Sequence, residues 1–235
     1  MLYFRSPMVE PNSPAPVARP YPVAAQFADT RAATCLASSG IAPNTPVKTD
    51  RGMVLARDLK RGDMVETLSN GFQPLRWKGE SRVVINIDDL GGMQPGTPIR
   101  LKAGEAGLPE EAGNLVVAAG QRILTRSGIN EMLFGEYEVM VFAADVLHLS
   151  GVDVVERPAA NWVHLMFDNH EMIAAGGMWL ESFLPDRAHL ERFHPEIWAE
   201  IREAVPALRF ESGESRYLEN YMTLEPREAR LVEFL

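Results

Sequence analysis

Short apolar runs separated by turn residues follow one another over residues 40–175, and this alternation is typical of an all-β domain. Two early pairs of runs each flank a compact turn, Asp50-Arg51-Gly52 and Ser69-Asn70-Gly71. Both turns carry glycine where positive φ is tolerated, and Asn-Gly is a strong hairpin signal. The pattern predicts two successive hairpins and, in all, strands over residues 47–49, 53–56, 64–68, 72–77, 82–87, 99–102, 115–117, 123–125, 138–142, 162–167 and 172–174.

Helical spacing is found only near the end of the chain. Residues 195–204 carry proline in the first turn, where it is tolerated, and apolar side chains at helical intervals, which residues 225–235 repeat. At the other end, six prolines among the first 22 residues predict an extended tail. We therefore expect three parts: a flexible proline-rich tail over 1–33, a β domain over 34–185 and a helical C-terminal extension over 186–235.

Composition narrows the function classes. A formal net charge of -9 argues against nucleic acid as a partner, because phosphate binding needs a positive field. The longest apolar runs are far shorter than a bilayer requires, so no membrane span is expected. The single cysteine, Cys35, excludes an internal disulfide. No cofactor motif and no signal peptide are recognised, which leaves the cytoplasm, or export without a recognisable signal, open as the location.

Four segments carry the most specific pattern in the sequence. Residues 40–47 and 58–65 lie close together near the start of the β domain, and residues 163–171 and 181–185 form a closing block. Together they resemble the bacterial branch of the Hint domain family, the self-processing domains of hedgehog proteins and inteins. The resemblance implies an all-β flattened horseshoe of β-hairpins with a small helical extension at its C-terminal end.

The resemblance also implies a chemistry, an acyl shift in which a cysteine at the first position of the pattern attacks the carbonyl before it. Gly40 occupies that position and has no side-chain atom to attack with. The family's Thr/Ser-x-x-His motif falls on Ala118 and Gln121, and glutamine exchanges no proton near neutral pH. The terminal His-Asn pair of inteins is absent, since Asn169-His170 has the reverse order. We therefore expect a Hint domain that neither cleaves nor splices and acts as a scaffold or binding module.

Two other functions remain open on the sequence alone. In the first, the acyl shift is performed by a displaced nucleophile near the Ser39–Gly40 peptide bond, which we call the junction. The candidates for this nucleophile are Cys35, Ser38 and Ser39. In the second, the groove left by the lost chemistry holds a peptide or protein partner of unknown identity. The candidate groove residues are Asp63, His164 and His170.

The histidines suggest one further kind of site. A zinc site would have to draw on His148, His164, His170 and Asp168, but no helical or hairpin spacing brings these side chains into tetrahedral register. Strand alternation places His164 on the opposite face from its neighbours Val163 and Leu165, as a core or groove residue. We therefore expect no metal centre.

Overall fold

The computed structural model describes residues 36–85, 93–94, 96–210, 217 and 221–233. The predicted tail over residues 1–33 and the candidate nucleophile Cys35 lie outside these residues. The described part is predominantly β, so the predicted all-β class is confirmed. The strands are β1 (Pro46–Thr49), β2 (Gly52–Leu55), β3 (Met64–Thr67), β4 (Gly71–Pro74), β5 (Trp77–Val84), β6 (Pro98–Leu101), β7 (Leu115–Ala118), β8 (Arg122–Arg126), β9 (Glu138–Phe142), β10 (Val152–Val154), β11 (Ala159–Met166), β12 (Met172–Ala175), β13 (Met178–Glu181) and β14 (Met222–Thr223).

Three α-helices accompany the strands within the described residues. They are α1 (Gly128–Phe134), α2 (Arg187–Phe193) and α3 (Pro195–Ala204). The Ser127 hydroxyl accepts the Asn130 N–H to cap α1, and the Asp186 carboxylate accepts the His189 N–H to cap α2. Short 3-10 turns occupy Ala56–Asp58, Glu110–Ala112, Ala143–Val146, Pro206–Arg209 and Ala229–Leu231.

The largest sheet among the described residues runs in the order β14-β9-β8-β13-β12-β1-β3-β4, with β2 paired to β1. Its pairs are antiparallel, except that β14 runs parallel to β9. The two predicted hairpins, β1–β2 and β3–β4, are confirmed, and the structure pairs Thr49 with Gly52 and Thr67 with Gly71. This sheet therefore joins the opening hairpins to the closing block.

Two smaller sheets, β10-β6-β7 and β11-β5, complete the β domain described here. Ile41 bridges them, because it pairs with Val117 of β7 on one side and with Val163 of β11 on the other. The segment around residue 40 is thus inserted between two sheets. This insertion places the candidate site inside the fold.

Most of the buried apolar side chains belong to one of two clusters. The first fills the space between the sheets, and its members include Val47, Ile99, Leu101, Val117, Ile123, Leu165 and Phe167. The second fixes α2 and α3 against the start of β5 and the end of β11, through Trp77, Met166, Phe183, Leu190, Trp198 and Ile201. The predicted helix 195–204 is confirmed with the same bounds, and its buried side chains make this second cluster.

The helix predicted over residues 225–235 is wrong for the described part of that range. Only Ala229–Leu231 is helical there, as one 3-10 turn. The apolar side chains that suggested a helix, Ala229 and Val232, are buried in the main cluster together with Leu224. Because β14 joins the edge of the large sheet just before them, tertiary pairing overrides the local spacing. In the described ranges, no helix combines the length and apolar character needed to cross a bilayer.

Candidate functional site

The segment before β1 lies in a groove whose walls are the strands β7 and β11. The Ile41 N–H donates to the Val163 carbonyl at 3.1 Å, and the Val163 N–H donates back to the Ile41 carbonyl at 2.9 Å. On the other wall, the Ala118 N–H donates to the Gly40 carbonyl at 3.0 Å, and the Gly120 N–H donates to the Ser38 carbonyl at 2.9 Å. The Ser39–Gly40 peptide bond is therefore held in place by strand-like hydrogen bonds on both sides.

Gly40 has a backbone conformation that other residues rarely adopt. Its φ is +117°, and a Cβ built there would lie 2.7 Å from the Trp162 Cβ and 3.0 Å from the His164 Cε1. Real Cβ atoms do not approach other atoms this closely, and the Trp162 Cβ belongs to a packed strand and cannot swing away. The position thus lacks a side chain and, in this conformation, also lacks the space for one.

Gln121 holds the amide of the junction. Its Oε1 accepts the Gly40 N–H at 2.9 Å, while its Nε2 donates to the Glu181 carbonyl at 2.9 Å and to the Arg122 carbonyl at 3.0 Å. The two carbonyls fix the orientation of the side-chain amide, because a reversed amide would place oxygen against oxygen. Gln121 is 3% exposed. The side chain is therefore a buried, fully bonded clamp on the Gly40 nitrogen.

His164 contributes a second buried group beside Gly40. Its Nε2 lies 2.9 Å from the Ser81 Oγ, and that hydroxyl donates its proton to the Leu36 carbonyl at 2.6 Å. Ser81 must then accept a hydrogen bond from the Nε2–H group, which leaves Nδ1 as the unprotonated nitrogen. Nδ1 is buried without a hydrogen-bond partner and lies 3.3 Å from the position of a Gly40 Cβ. Burial lowers the pKa of His164 to about 3, against a smaller opposing effect of the Leu36 backbone.

A small pocket opens beside the Ser39–Gly40 bond. Its lining includes Ser39, Gly40, Gln121, His164, Glu181 and Ser182. Ser38 and Ser39 are buried, at 6% and 3% exposure, and Ser39 reaches the pocket. The third candidate nucleophile, Cys35, lies outside the described residues. The structure thus brings Gly40, Gln121, His164 and Ser39 together around one cavity, with Ala118 on the adjoining strand.

A buried ion network lies directly behind the clamp. Arg122 makes two contacts with the Glu181 carboxylate, at 2.7 and 2.5 Å, and the His170 Nε2 lies 2.8 Å from the same group. Arg122 also donates to the Thr223 hydroxyl of β14 at 3.3 Å. Burial works against the charge on Glu181, but Arg122 and His170 outweigh it, and they hold the pKa of that carboxyl below its usual value. The network joins β8, β13, the closing block and the C-terminal strand.

The other predicted groove residues do not reach the pocket. Asp63 lies in the turn before β3, where it accepts the Lys60 N–H at 2.9 Å and pairs with Arg51 at 2.5 Å. His170 is committed to the ion network. His148 is exposed, whereas His164 and His170 are buried with different partners. Among the described residues, no group of three or more histidine, cysteine or acidic side chains is arranged to hold a metal.

Sequence reasoning missed several residues that shape this site. Trp162 limits the space at Gly40, Ser81 sets the His164 tautomer, and Arg122, Glu181 and Ser182 support the clamp. A signal was present for the ion network, because Arg122 stands directly before the apolar residues Ile123 and Leu124, and a buried charge requires a partner. Its partner Glu181 is 59 positions away, so only the fold identifies it.

Comparisons with known proteins identify the family of this chain. A profile of the Hint domain matches residues 39–187, which is more than half of the chain. The chain is similar to the gp41-1 intein (10% identity, 62% of this chain and 98% of that chain, TM-score 0.36) and to a DnaB intein from Synechocystis sp. PCC 6803 (11%, 63% and 100%, TM-score 0.36). It is also similar to the Ssp DnaB mini-intein variant M86 (10%, 63% and 97%, TM-score 0.39). No curated protein sequence matches the chain.

Proposed function

We propose that this chain, which belongs to the Hint domain family, is a member that keeps its Ser39–Gly40 junction intact and acts as a scaffold or binding module. The observation that carries the proposal is the environment of Gly40. An acyl shift begins with a side-chain sulfur or oxygen at this position, and glycine supplies neither. The packing of Trp162 and His164 around Gly40 leaves no room for such a side chain without a rearrangement.

The clamp on the junction nitrogen supports the same function. Cleavage of the Ser39–Gly40 bond needs a proton delivered to the Gly40 nitrogen as the bond breaks. Gln121 accepts a hydrogen bond from that nitrogen, and its own protons are held by the Glu181 and Arg122 carbonyls. An amide does not act as a general acid or base near neutral pH, and Ala118 offers no hydroxyl. The site therefore stabilises the peptide bond as it stands.

The scaffold role follows from an intact junction. If the bond is not cut, residues 1–39 stay covalently joined to the β domain, and the domain fixes the point from which they extend. The groove itself is filled by residues 38–41, so a protein or peptide partner binds elsewhere on the domain or to the segment that it carries. The net charge of -9 favours a protein partner over nucleic acid.

Intact-mass measurement tests the proposal directly. The purified protein is incubated with dithiothreitol and, separately, with hydroxylamine, and we expect no cut at Ser39–Gly40. Dithiothreitol opens thioesters, whereas hydroxylamine opens both thioesters and oxygen esters, so the pair of reagents identifies the nucleophile if a cut occurs. Fragments of about 4 and about 22 kDa from the 26.1 kDa protein would contradict the proposal.

One observation favours a second candidate function, self-cleavage by a displaced nucleophile. The unpartnered Nδ1 of His164 lines the same pocket as Ser39. In this reaction the Ser39 Oγ would bond to the Ser38 carbonyl carbon, whose oxygen accepts the Gly120 N–H at 2.9 Å, and the Ser38–Ser39 amide bond would break. Nδ1 would take the hydroxyl proton and return it to the freed amine. The low pKa of His164 opposes this step, because burial disfavours the charged ring that it requires.

Substitutions separate the two functions. Under self-cleavage, Ser39→Ala or His164→Gln abolishes fragments that the unmodified protein produces with hydroxylamine, while Ser38→Ala and Cys35→Ala test the other two nucleophiles. Under the non-cleaving function, neither these variants nor the unmodified protein gives the fragments of about 4 and about 22 kDa. Fragments of those masses that survive each substitution would exclude a nucleophile at any of the three positions.

A further inference from the structure

The turn between β3 and β4 contains the only asparagine of the sequence that is followed by glycine, Asn70-Gly71. Both residues are exposed, and Gly71 has φ +65° with no atom within 4 Å of the place where a Cβ would be. The Gly71 nitrogen is therefore next to the Asn70 side chain without a neighbouring side chain to shield it. This local geometry leaves the side-chain amide carbon of Asn70 accessible to the Gly71 nitrogen.

The Asn70 amide makes an unusual contact for a turn residue. Its Nδ2 donates to both carboxylate oxygens of Glu171, at 3.0 and 3.2 Å. Glu171 is only 1% exposed, and its backbone is tied to Ser182 by bonds of 2.9 and 2.8 Å. Ser182 lines the pocket beside Gly40. The hairpin turn is thus connected through one side-chain amide to the closing block and to the wall of the pocket.

The geometry points to Asn70 as a site of intramolecular modification whose product breaks this connection. The Gly71 nitrogen attacks the Asn70 Cγ, the new bond between these two atoms closes a five-membered succinimide, and the bond from Cγ to Nδ2 breaks. The proton of the Gly71 nitrogen leaves with Nδ2 as ammonia. Water then opens the ring at either carbonyl, and the product is aspartate or isoaspartate.

The effect of the product follows from the charge that it introduces. In the product, the Asn70 Nδ2 that donates to the buried Glu171 carboxylate is replaced by a carboxylate oxygen at about the same distance. This oxygen carries a negative charge, as the Glu171 carboxylate does. Two carboxylates this close do not both ionise without a large cost, so they must share a proton or separate. The isoaspartate product also adds a backbone carbon to the turn between β3 and β4. Both products loosen the turn from the closing block.

The first test follows the conversion itself in the full-length protein. After incubation at mildly alkaline pH, tryptic peptide 62–76 is analysed for a mass gain of about 1 Da, with exposed Asn114, which precedes leucine, as the internal control. We expect Asn70 to convert at least about tenfold faster than Asn114, because only Asn70 precedes glycine. Asn70→Gln should suppress the conversion, since it would require a larger ring. Equal rates at Asn70 and Asn114 would overturn the proposal.

Hydroxylamine gives an independent readout because it opens the succinimide and cuts the backbone between Asn70 and Gly71. Fragments of about 8 and about 18 kDa are expected, and Asn70→Gln should abolish them. A cut at Ser39–Gly40 gives fragments of different mass, so failure of this inference and failure of the proposed function are distinguishable. An uncut protein after prolonged treatment would count against the succinimide.

The second test concerns the link to Glu171. Asn70→Asp reproduces one product, and we expect its thermal midpoint to be roughly 3–6 °C below that of Asn70→Ala, which removes the contact without adding charge. In the Glu171→Gln background the difference between the two substitutions should disappear, because no second carboxylate is present. Equal midpoints for Asn70→Asp and Asn70→Ala in the unmodified background would overturn the role of Glu171.

Discussion

Gln121 and Arg122 are consecutive residues that are both anchored on Glu181, but by different kinds of interaction. Gln121 uses the backbone carbonyl of Glu181 and holds the Gly40 nitrogen with neutral hydrogen bonds. Arg122 uses the carboxylate of Glu181 and forms a buried ion network with His170. The charged groups are thus gathered in the ion network behind Gln121, whereas the side chain that contacts the Gly40 nitrogen is neutral.

The physical difference lies in what each group requires when it is buried. A neutral amide needs only matched donors and acceptors, and Gln121 has them. A buried carboxylate needs a positive partner, because desolvation of an unpaired charge is costly. The stability of the ion network therefore depends on each of its charged members. The stability of the packing around Gly40 depends mainly on whether the side chains fit together.

The largest expected effect comes from Arg122→Met, which leaves the Glu181 carboxylate buried with His170 alone. We expect a loss of about 3–5 kcal/mol in the free energy of unfolding, measured by urea titration. Arg126→Met is the matched control on the same strand, since Arg126 pairs with Glu138 at the surface, and it should cost about 1 kcal/mol or less. Equal losses for the two variants would show that the buried ion network contributes no more to the free energy of unfolding than the surface ion pair does.

Gly40→Ala tests whether the junction depends on shape. The added Cβ meets Trp162 and His164, and alanine is strained at φ +117°, so we expect a loss of about 2–4 kcal/mol. Gly128→Ala is the control, because it begins α1, has an ordinary φ and finds open space; it should be neutral or slightly stabilising. A neutral result for Gly40→Ala would mean that the junction accepts a side chain, and it would weaken the non-cleaving function.

The smallest expected effect is a pH dependence of the free energy of unfolding that arises from His164. Its pKa is about 3 in the folded protein against 6.5 as a reference, so between these values the unfolded protein binds a proton that the folded protein does not. Stability should therefore fall as the pH decreases, by about 2 kcal/mol from about pH 7 to about pH 5. His164→Gln should remove this part of the slope, whereas exposed His148→Gln should keep it.

Retention of the full slope in His164→Gln would contradict the assignment of His164 as a buried neutral base. The measurement is a series of urea titrations across the pH range for the unmodified protein and the two variants. Each variant replaces one imidazole by one amide. A difference between the two variants therefore arises from where the histidine lies in the fold and not from the chemical change itself.

Much of the fold could be predicted because its signals are local. The turns at Gly52 and Gly71 and the apolar runs around them define hairpins without reference to the rest of the sequence, and Pro195 with its following spacing defines α3. The short strands β10, β13 and β14 and the helices α1 and α2 were not predicted, and the helix expected over residues 225–235 was wrong. The three strands depend on pairing with residues far away in sequence, such as the contact of β14 with β9.

By itself, the amino-acid sequence determined which side chains stand at two positions: glycine at residue 40 supplies no nucleophile, and glutamine at residue 121 is neither a general acid nor a general base near neutral pH, wherever they lie. The fold decided how those two residues meet, with the Gln121 amide on the Gly40 nitrogen, Trp162 against Gly40 and the ion network behind. Side-chain identity is a local property, whereas a distance between residues 81 positions apart exists only after the sheets have assembled.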